Sequence, residues 1–172
     1  MNAILHADKK WGIGKKNDLM FRLPADMKFF RETTSGKTVC MGYNTLLSFP
    51  NGAPLKNRKN IVLCPDGVDR DDCVCVHNLS ALKRELEIES DPDNVFVIGG
   101  ASFYALMLDY CDKVYLTKVD ADGGAEVFFR NLDEDKNFVC VSESPTVYDN
   151  GYNIKFTVYK NKSPRSLAEL DL

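Results

Sequence analysis

What this chain lacks narrows it first. No apolar run approaches the roughly 20 residues that cross a membrane. A strand pattern begins at Asn2, so no leader segment is expected either. There is no basic cluster: 22 Lys and Arg stand against 25 Asp and Glu, a net charge of −3. Nucleic acid, whose binding needs clustered cations to displace counterions, is therefore not an expected partner. Histidine is scarce, with only His6 and His77. The six cysteines (Cys40, Cys64, Cys73, Cys75, Cys111, Cys140) offer no Cys-x-x-Cys pair, since Cys73 and Cys75 are one residue too close. That pattern supports neither a metal site nor a disulfide framework, and buried free thiols in a reducing cytoplasm are expected. Repeats, low-complexity tracts and linkers are absent as well.

What remains is ordinary for a globular domain. The 172 residues are 44% hydrophobic and 27% charged, enough for one domain that buries roughly two-thirds of its unfolded surface. Short runs rich in Val, Ile, Cys, Phe and Tyr, bounded by Gly, Pro, Asn or Asp, predict strands over 2–8, 37–42, 59–64, 73–77, 94–98, 112–120, 137–144 and 151–160. Helical patterns fit 24–33, 43–48, 79–88 and 100–107; in the third, Leu79, Leu82 and Leu86 make one apolar stripe. The expected fold is α/β, a single domain with a central, mostly parallel sheet of about eight strands flanked by about four helices. No helix pattern separates the last two strands, which should close the sheet as an antiparallel C-terminal hairpin across 145–150. Acidic loops over 66–72 and 89–93 read as solvated surface. The domain should span 1–160, leaving a tail over 161–172 that could form a short helix around Leu167 and Leu170 or stay disordered.

The segment from Gly12 to Phe30 carries the most chemistry. Pro24 suits the first turn of a helix, where its missing N–H costs nothing. Asp26 then lies at the positive pole of that helix among Met27, Phe30 and other bulky apolar residues. A carboxylate partly desolvated there could bind a cation or handle a proton; a solvated capping aspartate is the plain alternative. Gly99-Gly100, between an apolar strand and a helix pattern, would let backbone approach a ligand closely and leave free N–H groups for a pyrophosphate. A simple strand-to-helix turn reads equally well. Arg58 offers a planar fork suited to a carboxylate.

Taken in order, these blocks resemble dihydrofolate reductase of the bacterial, chromosomal type. They are the strand Asn2 to Asp8 with Trp11-Gly12-Ile13-Gly14, Leu23-Pro24-Ala25-Asp26-Met27, and Val39-Cys40-Met41-Gly42 with Thr45. Leu55 to Leu63, Val97-Ile98-Gly99-Gly100 with Tyr104, and Tyr115-Leu116-Thr117 complete the series. The likeness covers residues 2 to about 160. It implies NADPH-dependent reduction of 7,8-dihydrofolate to tetrahydrofolate, with NADH possible, in one-carbon and thymidylate metabolism, by a cytoplasmic monomer.

The resemblance also assigns roles. Asp26 becomes the catalytic acid, steadied by Thr117, and the only ionisable group expected in the pterin pocket. Ile4, Leu5, His6, Leu19, Met27, Phe30, Phe49, Leu55, Ile98 and Tyr104 become walls of the substrate site, and Arg58 the partner of the glutamyl α-carboxylate. The cofactor side takes His6, Ile13, Gly14, Asn17 and Leu19 from the first strand and loop, and Gly42, Tyr43, Asn44 and Thr45 from the second helix start. It also takes Leu63, Cys64, Pro65 and His77, then Ile98 to Tyr104 (Gly99, Gly100, Ala101, Ser102 and Phe103 between), with a cis Gly99–Gly100 peptide. His6 stands where the family has a small apolar residue, and its backbone rather than its ring is expected to matter. Phe21 replaces a tryptophan and Met20 a proline. Tyr43, Pro65 and Ser102 replace residues that favour a 2′-phosphate. Two rivals share parts of this pattern: a pyrimidinone reductase of riboflavin synthesis, and a catalytically idle folate- or nucleotide-binding protein.

Overall fold

The structure, a computed structural model, describes residues 1–171; Leu172, the last residue of the tail, lies outside them. Among the described residues, four helices and eleven strands form, in chain order β1 (Asn2–Ala7), β2 (Gly12–Gly14), α1 (Pro24–Thr34), β3 (Thr38–Gly42), α2 (Tyr43–Ser48), β4 (Lys59–Leu63), β5 (Val74–Val76) and α3 (Leu79–Ile88). Then come β6 (Val95–Val97), α4 (Ala101–Met107), β7 (Lys113–Val119), β8 (Val127–Phe128), β9 (Phe138–Glu143), β10 (Val147–Asp149) and β11 (Tyr152–Asn161). Among the described residues no helix is long and apolar enough to cross a membrane.

One sheet organises the chain, in the order β10-β11-β7-β1-β6-β3-β4-β5. The strands from β7 to β5 are parallel, and β11 runs antiparallel to β7. In β3, Val39 and Met41 enter the core under α1 and α2, while Cys40 enters the core under α3 and α4. A sheet covered on both faces explains why its strands read as continuous apolar runs instead of alternating ones. The leucine stripe behaves as expected, Leu82 and Leu86 being buried, and the Asn78 side chain caps α3 by accepting the Ala81 N–H at 2.8 Å.

The C-terminal end is more divided than a simple hairpin. β9 pairs with Thr157–Asn161 of β11, whereas Tyr152–Ile154 pairs with a further strand, β10, bringing the sheet to nine strands. The turn between β10 and β11 is Asn150-Gly151, both with positive φ (50° and 89°). Asn-Gly is the strongest short hairpin signal in any sequence, because such a turn matches the twist of the flanking strands; it marks the boundary that 145–150 blurred. A two-stranded ribbon of β2 and β8 was also not expected. In the tail, Leu167–Glu169 forms a 3-10 turn, Leu170 is buried, and Lys83 on α3 meets Asp171 at 3.0 Å. Burial of Leu170 settles the tail as a docked turn. The thiols divide: Cys40, Cys64 and Cys111 are buried, Cys73 and Cys75 half-buried, and Cys140 exposed on β9. Cys140 departs from the expected burial because β9 is covered on neither face after Phe138.

Candidate active site

The sheet opens where β1 parts from β6. Only Asn2 and Ala3 pair with Phe96 and Val97, while β1 stays paired with β7 through Ala7. Beyond Val97 the chain follows β3 instead, Ile98 N–H donating to Cys40 O (3.0 Å) and Gly42 N–H to Gly99 O (2.9 Å). The carbonyl of Ile4 faces the resulting gap and accepts the Tyr104 hydroxyl at 2.8 Å. Burial holds that phenol well above its ordinary pKa, so it remains a donor. A crevice at the carboxyl ends of parallel strands, where the crossovers diverge to either side, is where open α/β sheets bind ligands.

Asp26 lies at the edge of this gap, its side chain 14% exposed. It is not a helix cap. The N-cap residue of α1, Leu23, has no side chain able to cap, and the Ala25 N–H is taken by Asp149 Oδ2 at 2.9 Å. Asp26 turns inward: Oδ1 accepts the Thr117 hydroxyl at 2.6 Å, and Oδ2 lies 3.2 Å from His6 Nδ1. His6 faces Asp26 because His6 and Ile4 share one face of β1, under α1, while Ala3 and Ala7 point to the other. His6 is also directly opposite Thr117 in the β1–β7 register. Two expectations are corrected here. Asp26 is not the only ionisable group at this point, and the His6 ring, more than its backbone, faces the acid. The strand's two-residue period held the signal.

Other expected residues gather on the same side. Phe30, Phe49, Leu55 and Ile98 pack on the core that contains Ile4, while Met27 is 47% and Leu19 62% exposed at the rim. Arg58 follows, its Nη1 donating to Thr34 Oγ1 (3.0 Å), its Nε to Lys56 O (2.9 Å), and its guanidinium 6.0 Å from the Phe30 ring. Burial and the nearby Arg31 lower its pKa, so the cation is partly desolvated and repelled by a like charge. An anion placed beside it would relieve both.

Across the gap, the Gly99–Gly100 peptide is cis. Gly99 has φ +138° and an added Cβ would lie 3.2 Å from Thr45 Oγ1, so only glycine fits. Gly42 and Tyr43 open α2, and the Asn44 carbonyl accepts the Asn17 amide at 3.4 Å, drawing the first loop towards α2. Gly14 belongs to the β2–β8 ribbon, and Lys16 N–H donates to Glu126 Oε1 at 2.7 Å. Ala101, Ser102 and Pro65 are at or near the surface.

Several expected residues offer less than a side chain. Leu5, Ile13, Leu63 and Phe103 pack towards the core that contains Ala3 and Ala7, opposite the Asp26 face. Cys64 is buried. The His77 ring is engaged by Val68 O at 2.7 Å. Residues that the sequence reading did not single out prove structural. Asp8 collects the N–H groups of Lys10, Gly12 and Gly123 at 2.8–3.0 Å and ties the first loop to residues 121–124. An Asp that ends a strand before a Gly-containing loop is the only local hint of that role.

A family model described as dihydrofolate reductase matches residues 1–161. The dihydrofolate reductase of Bacillus subtilis is 39% identical over 155 residues, 88% of each chain. That of Staphylococcus haemolyticus is 32% identical over 163 residues, covering 93% of this chain and 95% of its own. Among solved structures, dihydrofolate reductase from Enterococcus faecalis complexed with NADP(H) and RAB-propyl aligns with a TM-score of 0.78 at 27% identity, covering 94% of this chain and 96% of that one. The chain belongs to the dihydrofolate reductase family.

Proposed function

We propose that the crevice between β1 and β6 is where this chain reduces 7,8-dihydrofolate to 5,6,7,8-tetrahydrofolate with NADPH. Family membership carries the reaction class, and the neighbour complexed with NADP(H) supports the cofactor. The observation that carries the location is Asp26, a mostly buried carboxylate held by Thr117 and His6 at the mouth of a split sheet. Neither rival explains so well a carboxylate poised in the cleft together with a desolvated arginine along the same wall.

The residues across the gap fit a dinucleotide. Close approach is possible at Gly99 and Gly100, where a Cβ would meet Thr45, and the starts of α2 and α4 supply free N–H groups. Reduced nicotinamide, when bound there, would supply the hydride for C6 of the pterin. The protein positions, desolvates and polarises. Asp26 accepts the N–H groups of the pterin amidine edge and so favours protonation at N5, the proton itself arriving from water. Ile4, Phe30, Phe49, Leu55 and Ile98 exclude water from the ring, which strengthens that charge interaction. Arg58 takes the glutamyl carboxylate, and the loop from Trp11 to Arg22 covers the nicotinamide.

Residues 1–160 form the catalytic domain, with the tail docked on α3. The protein works as a monomer in a reducing cytoplasm, a setting that suits six free cysteines. The net charge of −3 favours small-molecule ligands over nucleic acid. Oxidation of NADPH is to be followed with dihydrofolate, with the pyrimidinone substrate and with neither. Turnover with dihydrofolate alone is expected; turnover with the pyrimidinone alone, or with neither, overturns the reading.

A further inference from the structure

The side chain of His6 is 6% exposed, with Nδ1 3.2 Å from Asp26 Oδ2. Its other nitrogen, Nε2, is buried without any hydrogen-bond partner. These two facts select a protonation state. If Asp26 held a proton on Oδ2 and donated it to Nδ1, neutral imidazole would carry its own proton on Nε2, leaving a buried N–H unpaired. If the proton sits on Nδ1, that N–H donates to an ionised Asp26 and Nε2 is left with a bare lone pair. Orphaned buried donors are the rarer and costlier case, so the second arrangement is favoured. A second proton, making imidazolium, would restore the orphan.

We propose that His6 is a positioning residue for Asp26: by donating Nδ1–H to Oδ2, it keeps the carboxylate ionised and fixed in one orientation. A carboxylate has about four lone-pair sites, two on each oxygen. Thr117 fills one on Oδ1 and His6 one on Oδ2. One site then remains on each oxygen, matching the two parallel N–H donors of a cyclic amidine edge. The proposal rests on the reading that Asp26 receives that edge.

Among the described residues no other titratable group competes for the ring. Asp26 faces it from α1, the Thr117 hydroxyl from β7, and the Phe21 ring at 5.9 Å from the segment before α1. The remaining polar groups near the strand and helix ends are committed elsewhere. Asp8 holds backbone N–H groups, Asp149 holds Ala25 N–H, and the Tyr104 hydroxyl holds Ile4 O. Moving the imidazole proton therefore changes Asp26 first.

The test compares His6→Ala, His6→Asn and His6→Gln with wild type and Asp26→Asn. Asparagine sets an amide N–H near the place of Nδ1, whereas glutamine sets its own near Nε2. Binding of a 2,4-diaminopyrimidine probe and the dihydrofolate KM are measured between pH 5 and pH 9, with a thermal melt as the fold control. Losing a donor to a charged acceptor weakens binding on the order of 10-fold. His6→Ala should therefore raise the probe Kd and the dihydrofolate KM at neutral pH by about that factor. The pH profile should also differ from that of wild type, because a donor to the charged carboxylate has been removed. His6→Asn should restore both and His6→Gln should not. Nitrogen-15 spectra of labelled histidine should show the proton on Nδ1 in wild type. A wild-type pH profile in His6→Ala, with Asp26→Asn inactive, overturns the role of His6 alone. Equal rescue by Gln and Asn, or a parallel loss of thermal stability, does the same by making the residue structural. Full neutral activity in Asp26→Asn would instead overturn the functional reading beneath it.

Discussion

Asp149 Oδ2 accepts the Ala25 N–H at 2.9 Å, joining two positions 124 residues apart. The helix start that bears Asp26 is thus capped from the far end of the chain, by a strand outside every motif that pointed to the site. With the cap supplied elsewhere, Asp26 is free to face Thr117 and His6. Removing the cap should loosen the acid as well as the helix. Asp149→Ala is expected to cost about 0.5–2 kcal/mol in urea unfolding, and to raise the dihydrofolate KM while NADPH binding stays constant. Asp149→Asn should recover most of the stability.

Asp26→Asn keeps the shape and removes the charge. The variant should fold and bind NADPH but lose most turnover at neutral pH, with partial recovery at low pH, where the substrate arrives already protonated. Steady-state rates from pH 5 to pH 8 check this. Near-normal neutral turnover would take Asp26 out of the reaction.

Arg58 should act on the substrate's tail alone. A charge-assisted contact is worth roughly 1.5–3 kcal/mol, so Arg58→Leu should raise the dihydrofolate KM on the order of 10- to 100-fold. A pterin without the glutamyl group should be almost unaffected. Because Nη1 also donates to Thr34 Oγ1 at 3.0 Å, a thermal melt of the variant is needed beside the kinetics. Equal losses for both substrates would assign the arginine to structure.

Preference for NADPH over NADH should be weaker than three guanidinium or hydroxyl partners would give. Tyr43 is half-buried with one neutral donor, Pro65 has none, and Ser102 has one hydroxyl. The guanidinium of Arg70 is bound through two nitrogens to Asp72 at 2.6 and 2.9 Å. Tyr43→Arg should raise the ratio of kcat/KM for the two cofactors by at least 10-fold. No change in that ratio would show that the 2′-phosphate is held elsewhere.

Alkaline pH should unfold the protein through its buried acids. Desolvation pushes the Cys111 thiol up to about 12 and Tyr104 higher still. Above about pH 9 the unfolded chain releases these protons and the folded chain keeps them, so stability falls with rising pH. It is fully present below the unfolded pKa and is lost as pH rises through the folded value. Tm should decline from about pH 9 towards pH 12, and less steeply in Cys111→Ala. An unchanged slope in that variant would remove Cys111 from the cause.

The order of strands and helices was legible in the sequence because each element has a local cause. Apolar runs bounded by Gly, Pro or Asn mark strands buried on both faces, and Pro24 and the stripe Leu79, Leu82 and Leu86 mark helices. All four helices fall within one residue of their expected ends. The reaction class was legible too, because the segments around Asp26, Arg58 and Gly99 keep a family's order and spacing. Tertiary structure decided what depends on distant partners. The sequence allowed Asp26 to be either a cap or a pocket acid; Asp149 and the packing of α1 over β1 chose between them. It left His6 as a ring of no consequence, whereas the parity of β1 and its register with Thr117 aim it at Asp26. The fate of the tail turned on whether α3 offers Leu170 a place to bury. Local patterns determine which elements form. Which side chains meet depends on register, crossing and burial between segments a hundred residues apart, and no local pattern records that.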